Sequence, residues 1–378
     1  MAAKNMTSRE RLIRAIEHKD VDRPPIDIGS TINSGINTKA YHKLKDYLGI
    51  KSRSTEFSAV WSLAVIEEAV LRRLSVDTRG IFVPAVNAYK NNEEKTSVVI
   101  DEWNLVYRKP QGFDYYELST NPLANAEIND LDKYKWPDPQ LQKKVAGIKE
   151  SVKELNENKE YALVGTPSGG TSIFERSWYL RGMEQFLIDL VVNKKFAHSL
   201  LEIILNIQIN KWKLYLNEVG KYLDVISIGD DLASQVNILI SPALYREMIK
   251  PYQKKYFQTI KQWTDAKLFY HSCGNISPIL DDLIEVGIDI INPVQISAND
   301  MAPERLKKDF GNRVTFWGAV DTHKLLNNAE PQEVIAETKK LIKILGAGGG
   351  YVVAASHNIQ TDVKPQNILA MISAVKGE

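Results

Sequence analysis

At 378 residues the chain is longer than a typical single domain, yet within reach of one α/β barrel with insertions. Hydrophobic residues at 44% and charged residues at 25% describe an ordinary globular composition, and 48 basic against 47 acidic residues leave no global field to draw it to nucleic acid or a membrane surface. No stretch approaches the roughly 18 apolar residues of a membrane span, the charged segment Met1–Lys19 lacks the apolar core of a secretory signal, and the single cysteine excludes an intrachain disulfide and suits a reducing cytoplasm.

The opening Thr7-Ser8-Arg9-Glu10, followed by Leu12, Ile13 and Ile16, predicts an amphipathic helix with a capping box, ending before Asp22-Arg23-Pro24-Pro25. Short β-type runs then alternate with longer helical stretches, the pattern of a parallel α/β sheet. Eight candidate strands fall at 25–28, 80–84, 161–165, 223–228, 267–270, 288–292, 314–317 and 351–354, the number a closed barrel requires. Helical patterns at 184–206, 242–263 and 331–345 are long enough to cross back over the sheet. Between the second and third strands, runs at 97–100, 105–107 and 115–118 predict an antiparallel insertion over about 95–120. The expected fold is α/β, a single (β/α)8 TIM barrel over residues 1–378 with that insertion.

The C-terminal ends of such strands open on one face, where barrel enzymes keep their chemistry. Gly29-Ser30-Thr31 and Asn33 follow the first strand, Asp77-Thr78-Arg79 stand near the start of the second, and Thr166-Pro167-Ser168-Gly169-Gly170 follow the third. The next ends carry Gly229-Asp230-Asp231, His271-Ser272-Cys273-Gly274 and Asn292-Pro293-Val294-Gln295; the last two carry Gly318-Ala319-Val320-Asp321 and Ser356-His357-Asn358-Ile359-Gln360. Any barrel rim needs polar turn residues and N-caps, so the collection argues for a site more strongly than its members do.

His271 and Cys273 offer an imidazole nitrogen and a thiolate sulfur one residue apart, both good zinc donors; the plainer alternative is a half-buried thiol beside a structural histidine. His357, at the end of the eighth strand, is the candidate third ligand, or else a hydrogen-bonding partner for substrate. A His2Cys set leaves a fourth tetrahedral position open, as catalytic zinc sites do.

The chain resembles the uroporphyrinogen decarboxylase superfamily over nearly its full length, and more closely its corrinoid-dependent methyltransferase branch. The resemblance is carried by Ser8-Arg9-Glu10-Arg11 with Asp22-Arg23-Pro24-Pro25, Asn121-Pro122-Leu123-Ala124, Trp136-Pro137-Asp138-Pro139 and Leu180-Arg181-Gly182. It continues in Gly229-Asp230-Asp231-Leu232, Ile240-Ser241-Pro242, Lys250-Pro251-Tyr252, His271-Ser272-Cys273-Gly274, Trp317-Gly318-Ala319-Val320-Asp321 and His357-Asn358-Ile359-Gln360. It implies a single barrel with the site in its mouth. In the methyltransferase branch a zinc held by a His-x-Cys pair and a distant cysteine activates a thiol, while a separate corrinoid protein carries the methyl group. His271 and Cys273 match the pair, but His357 stands where the cysteine is expected. Neutral imidazole in place of thiolate removes one negative charge, which favours polarising a methoxy oxygen over maximising a thiolate's nucleophilicity.

Decarboxylases of the family use no metal and bind a tetrapyrrole with eight carboxylates through an arginine-rich loop, an aspartate and a late histidine. Asp77 and His357 are the possible counterparts here. The loop 26–33, however, carries no arginine, and burying carboxylates unpaired is prohibitively costly.

Asp230, Asp231 and Asp77 are therefore the candidate catalytic or orienting carboxylates. Asn33, Asn292, Gln295 and Glu175 are candidate substrate contacts, although Glu175 pairing with Arg176 is the simpler expectation. The functional expectation is a cytoplasmic methyltransferase with Zn2+ at His271, Cys273 and His357. It works between a methoxy-aromatic or methylamine-type substrate and a methylcorrinoid supplied by a partner protein, and the relatives suggest a homodimer. The alternatives are metal-free decarboxylation of uroporphyrinogen and a non-catalytic barrel that binds a corrinoid or tetrapyrrole.

Overall fold

The computed structural model describes residues 6–58, 60–83, 97–113, 115–138, 147–167 and 170–378, and the backbone of 88–91. Pro84, Pro139, Ser168 and Gly169, which figured in the sequence motifs, lie outside the described residues. Seven parallel strands pair side by side: Thr78–Phe82, Ala162–Thr166, Val225–Gly229, Lys267–His271, Ile290–Asn292, Thr315–Val320 and Tyr351–Ala355. The eighth stave is the segment 25–28. Val353 N donates to Pro25 O and Asp27 N to Val353 O, while on the other side Asp77 N donates to Ile26 O. Pro24 and Pro25 have no N–H to extend this pairing, which keeps the closing stave short. The barrel expected from the sequence is thus the one found.

Side chains alternate across each strand, and the inward set forms its own core of Ala162, Val164, Val225, Phe269, Ile290, Trp317, Val352 and Ala354. Leu12 and Ile16 join it, so the helix Ser8–Ile16 plugs the N-terminal end of the barrel. Its capping box forms as predicted, with Glu10 N on Thr7 Oγ1 and Thr7 N on Glu10 Oε2.

Two helices expected to be continuous are interrupted. The stretch 184–206 divides into Met183–Val192 and Lys194–Val219, because Asn193 caps the second helix by accepting from Phe196 N. The stretch 242–263 divides into Pro242–Met248 and Lys250–Ile260, where Pro251 cannot donate to the preceding turn. A two-stranded ribbon, Glu56–Ser58 with Leu63–Ala64, was not anticipated.

The insertion is an antiparallel sheet of Ala88–Asn91, Ser97–Ile100, Val106–Lys109 and Glu117–Thr120. Its turn at 101–105 is anchored on the barrel's helices. Asp101 Oδ1 accepts from Trp103 N and Leu105 N, its other oxygen pairs with Arg176, and Glu102 pairs with the buried Lys211. Tyr115, on the same insertion, donates its hydroxyl to Gln360 Oε1 at the barrel mouth.

Candidate metal centre at the barrel mouth

His271 is the last residue of its strand, in register with Gly229 on one side and Asn292 on the other. The turn that follows is clamped from both neighbours: Cys273 N donates to Asp231 Oδ1 at 2.8 Å and Gly274 N to Gln295 Oε1 at 2.8 Å. Ser272 N bonds Asn292 O, and Ser272 Oγ accepts from Leu232 N. Gly274 has φ +86°, and a Cβ there would lie 2.3 Å from Ser234 O, so only glycine lets the chain pass. These bonds hold the Cys273 side chain beside His271, with Sγ 3.4 Å from Nε2.

The tautomer of His271 follows from its neighbour. Asn292 Nδ2 donates to Trp317 O at 2.9 Å, which turns Oδ1 toward His271 Nδ1 at 2.5 Å. A proton on Nδ1 donates there and leaves the Nε2 lone pair facing Cys273, an arrangement typical of metal-binding histidines. His357, half-buried after the strand Tyr351–Ala355, places its ring 5.7 Å from that of His271. One donor atom from each of His271, Cys273 and His357 lies within 4.8 Å of the others, the grouping expected from the sequence.

Burial lowers the pKa of His271 to about 4, and burial together with His271 and His323 lowers that of His357 to about 3. Both imidazoles are therefore neutral at ordinary pH, the form in which histidine binds metal. Burial, reinforced by Asp231 and Glu175, pushes the Cys273 thiol up. Such a thiol ionises readily only when a cation meets it, which the donor chemistry of this set favours.

The predicted carboxylates separate into three kinds. Asp231 belongs to the centre, clamping Cys273 N and standing 3.8 Å from His271 Nε2. Glu175 faces the same region and accepts from Tyr179 OH at 2.8 Å; burial and the nearby Asp231 push its pKa up. Asp230 turns the other way and caps the helix Phe174–Arg181, accepting from the N–H groups of Ile173, Phe174 and Glu175. Burial pushes it up to about 7 against those three donors.

Asp77 is not brought to the mouth. It precedes the strand Thr78–Phe82 at the opposite end of the barrel, fully buried, where it binds Arg11, Arg23 and the N–H of Ile26. Its replacement by alanine removes the carboxylate that Arg23 pairs with and one of the two that Arg11 pairs with, Asp22 being the other, so Asp77→Ala should lose about 3–5 kcal/mol in urea unfolding while metal content per folded molecule stays unchanged.

Among the predicted substrate contacts, Asn292 and Gln295 serve first as supports of His271 and Gly274. Asn33 reaches the mouth: a Cβ on Gly229 would meet Asn33 Nδ2 at 3.6 Å and His271 Cβ at 3.5 Å. A cleft of about 250 Å3 opens beside Cys273 and His357, lined also by Ser234, Gln235, Gln295 and His323. His323 carries no sequence motif of its own; it follows Asp321, one of the rim residues that a turn cap would explain. That cap exists, with Asp321 Oδ1 accepting from the N–H groups of His323 and Lys324, and it presents the exposed imidazole to the cleft.

Fold and site together define a (β/α)8-barrel enzyme with a candidate His/Cys/His metal centre at the C-terminal mouth. The family model for uroporphyrinogen decarboxylase matches residues 112–377, and the chain belongs to that family. The uroporphyrinogen decarboxylase of Chlorobium phaeobacteroides is 26% identical over 290 residues, covering 72% of this chain and 77% of its own. A methylcobamide:CoM methyltransferase of Methanosarcina acetivorans is 25% identical over 228 residues, covering 58% and 63%. A solved methyltransferase from Methanosarcina mazei superposes with a TM-score of 0.64 over 99% of both chains at 19% identity, a likeness of fold. Among the described residues, no helix is long and apolar enough to cross a membrane.

Proposed function

We propose that this protein is a zinc-dependent methyltransferase, moving a methyl group between a small methylated substrate, of methoxy-aromatic or methylamine type, and a corrinoid held by a partner protein. The observation that carries the reading is the convergence of His271 and Cys273, at one strand end, with His357 at another, 84 residues further along the chain, all three good zinc donors. When bound, zinc supplies Lewis acidity at the atom next to the methyl group. The chain's own residues do the rest. Asn292 fixes the His271 tautomer, Asp231 and Gln295 fix the turn that carries Cys273, and Asn33 and Gln295 offer neutral hydrogen-bonding groups to an uncharged substrate. Glu175, with its raised pKa, is placed to hold a proton near the centre.

The curated relatives named uroporphyrinogen decarboxylase make metal-free decarboxylation the rival reading. Among the described residues lining the mouth clefts there is no Lys or Arg. A substrate with eight carboxylates would find no cation there to pair with. The two readings separate in one experiment. Zinc-loaded protein mixed with a reduced corrinoid protein and a methoxyarene should convert the cobalt spectrum to the methylated form, whereas turnover of uroporphyrinogen by metal-stripped protein would establish the rival.

Metal uptake carries its own pH signature. Both histidines are already neutral above pH 5 and the raised Cys273 thiol is protonated, so each zinc bound should displace one proton. Apparent zinc affinity should rise about tenfold per pH unit between about pH 6 and 8, read with a chromogenic chelator.

A further inference from the structure

The helix Met183–Val192 is apolar on both sides. Its inner face puts Phe186 and Leu190 into the core, and Asp189 pairs with Arg181 Nε at 2.7 Å. Its outer face carries Met183, Ile188, Val191 and Val192, which are 38, 44, 60 and 74% exposed, with the half-buried Leu187 among them. Positions 183, 187, 188, 191 and 192 recur at helical spacing, so they form one continuous stripe where a surface helix ordinarily carries charge. None of these residues lines the clefts at the barrel mouth. The stripe has one charge toward each end: Glu184 is exposed in the first turn, and Lys195 is exposed just beyond the break at Asn193. Neither side chain has a partner among the described residues. Lys195 stands in the first turn of the helix Lys194–Val219, where the helix dipole disfavours a cation. Its neighbour Lys194 offsets that cost by pairing with Glu247, whereas Lys195 finds no such anion.

We infer that this stripe pairs with the same stripe of a second copy of the chain, as an antiparallel helix pair about a twofold axis. A contact between identical surfaces must be self-complementary, and this surface is. With the axis passing beside Asp189 and Leu190, Ile188 faces Val191 of the second copy, Leu187 faces Val192 of the second copy, and Glu184 faces Lys195 of the second copy. Each pair occurs twice, so both ends of the apolar contact close on opposite charges. A parallel pairing would set Glu184 on Glu184 and Lys195 on Lys195, which excludes it. One short helix buries less than the roughly 800 Å2 per partner of a standard interface, so the dimer is a weak one, with Kd on the order of 10 μM.

The test is sedimentation equilibrium of the full chain from about 1 to about 200 μM, over which it should pass from monomer to dimer. Val191→Glu sets a carboxylate against apolar surface twice per dimer and should raise Kd by at least about tenfold. Glu184→Lys and Lys195→Glu each place like charges opposite one another and should each raise Kd by about tenfold, while the double variant, Glu184→Lys with Lys195→Glu, should return it to the parental value. All three positions are exposed, so circular dichroism should match the parent in every variant. A chain that stays monomeric at about 200 μM would overturn the pairing and leave the stripe to a different protein. A dimer indifferent to Val191→Glu, or charge reversals that the double variant does not rescue, would overturn it equally. Zinc content and corrinoid methylation are measured apart from all of these, so the methyl-transfer reading stands or falls separately.

Discussion

Purified His271→Ala protein is expected to retain less than about a tenth of the bound zinc of the unsubstituted chain and to lose methyl transfer by more than about a thousandfold. The reason is local. Two of the three donors remain, but Cys273 and His357 alone offer a zinc ion too few ligands to compete with water and buffer. The rest of the mouth should stay in place, because the Cys273 turn is held by Asp231 and Gln295 rather than by the imidazole. Asn292 Oδ1 loses its partner in the variant, which costs about 1–3 kcal/mol and shows as a modest drop in unfolding midpoint. Circular dichroism and elution volume unchanged from the parent, with zinc lost, locate the effect at the centre. His198→Ala, at an exposed histidine paired with Tyr252, is the control and should alter neither metal nor rate. Full zinc occupancy in the His271→Ala protein would remove the metal centre from the mechanism.

Much of this site was legible because strand ends are legible. A β-type run followed by Gly, Asp, Asn or His marks where a parallel strand stops, and in a barrel all such stops share one rim. His271, Cys273 and His357 could be brought together on that ground alone. Asp77 shows the limit of the approach: it stands at the beginning of its strand, not at the end, and its carboxylate serves Arg11 and Arg23 at the closed end of the barrel. Asp230 and Asp231 are adjacent in sequence and alternate in direction, so one caps a helix and the other clamps the cysteine turn. No single-sequence signal distinguishes them, since both follow the same strand. Tyr115 and His323 escaped notice for a different reason. Their place at the mouth depends on how an insertion folds back and how Asp321 caps a turn, which are long-range or side-chain-specific events that periodicity does not record.

The charge of the proposed ligand set is the remaining chemical variable, and in that set His357 is the residue that controls it. His357→Cys should keep zinc bound at least as tightly as the parent, because a thiolate replaces a neutral imidazole at the same strand end and gives the His-x-Cys plus cysteine pattern that the family resemblance implies. The added thiol must also ionise, so two protons rather than one should leave per zinc, and the pH slope of apparent affinity should steepen from about ten to about a hundredfold per unit below the thiol pKa values. The extra negative charge makes the centre a weaker electrophile, and demethylation of an aryl ether should fall by roughly 10–100-fold despite full metal occupancy. His357→Ala separates ligation from mere proximity: with the ligand gone, zinc affinity should drop by about a hundredfold or more. An alanine variant with parental affinity and a single proton released would make His357 a cleft wall shared by the two pockets and leave Cys273 and His271 to bind metal with a different third partner, of which Asp231, 3.8 Å from His271 Nε2, is the nearest.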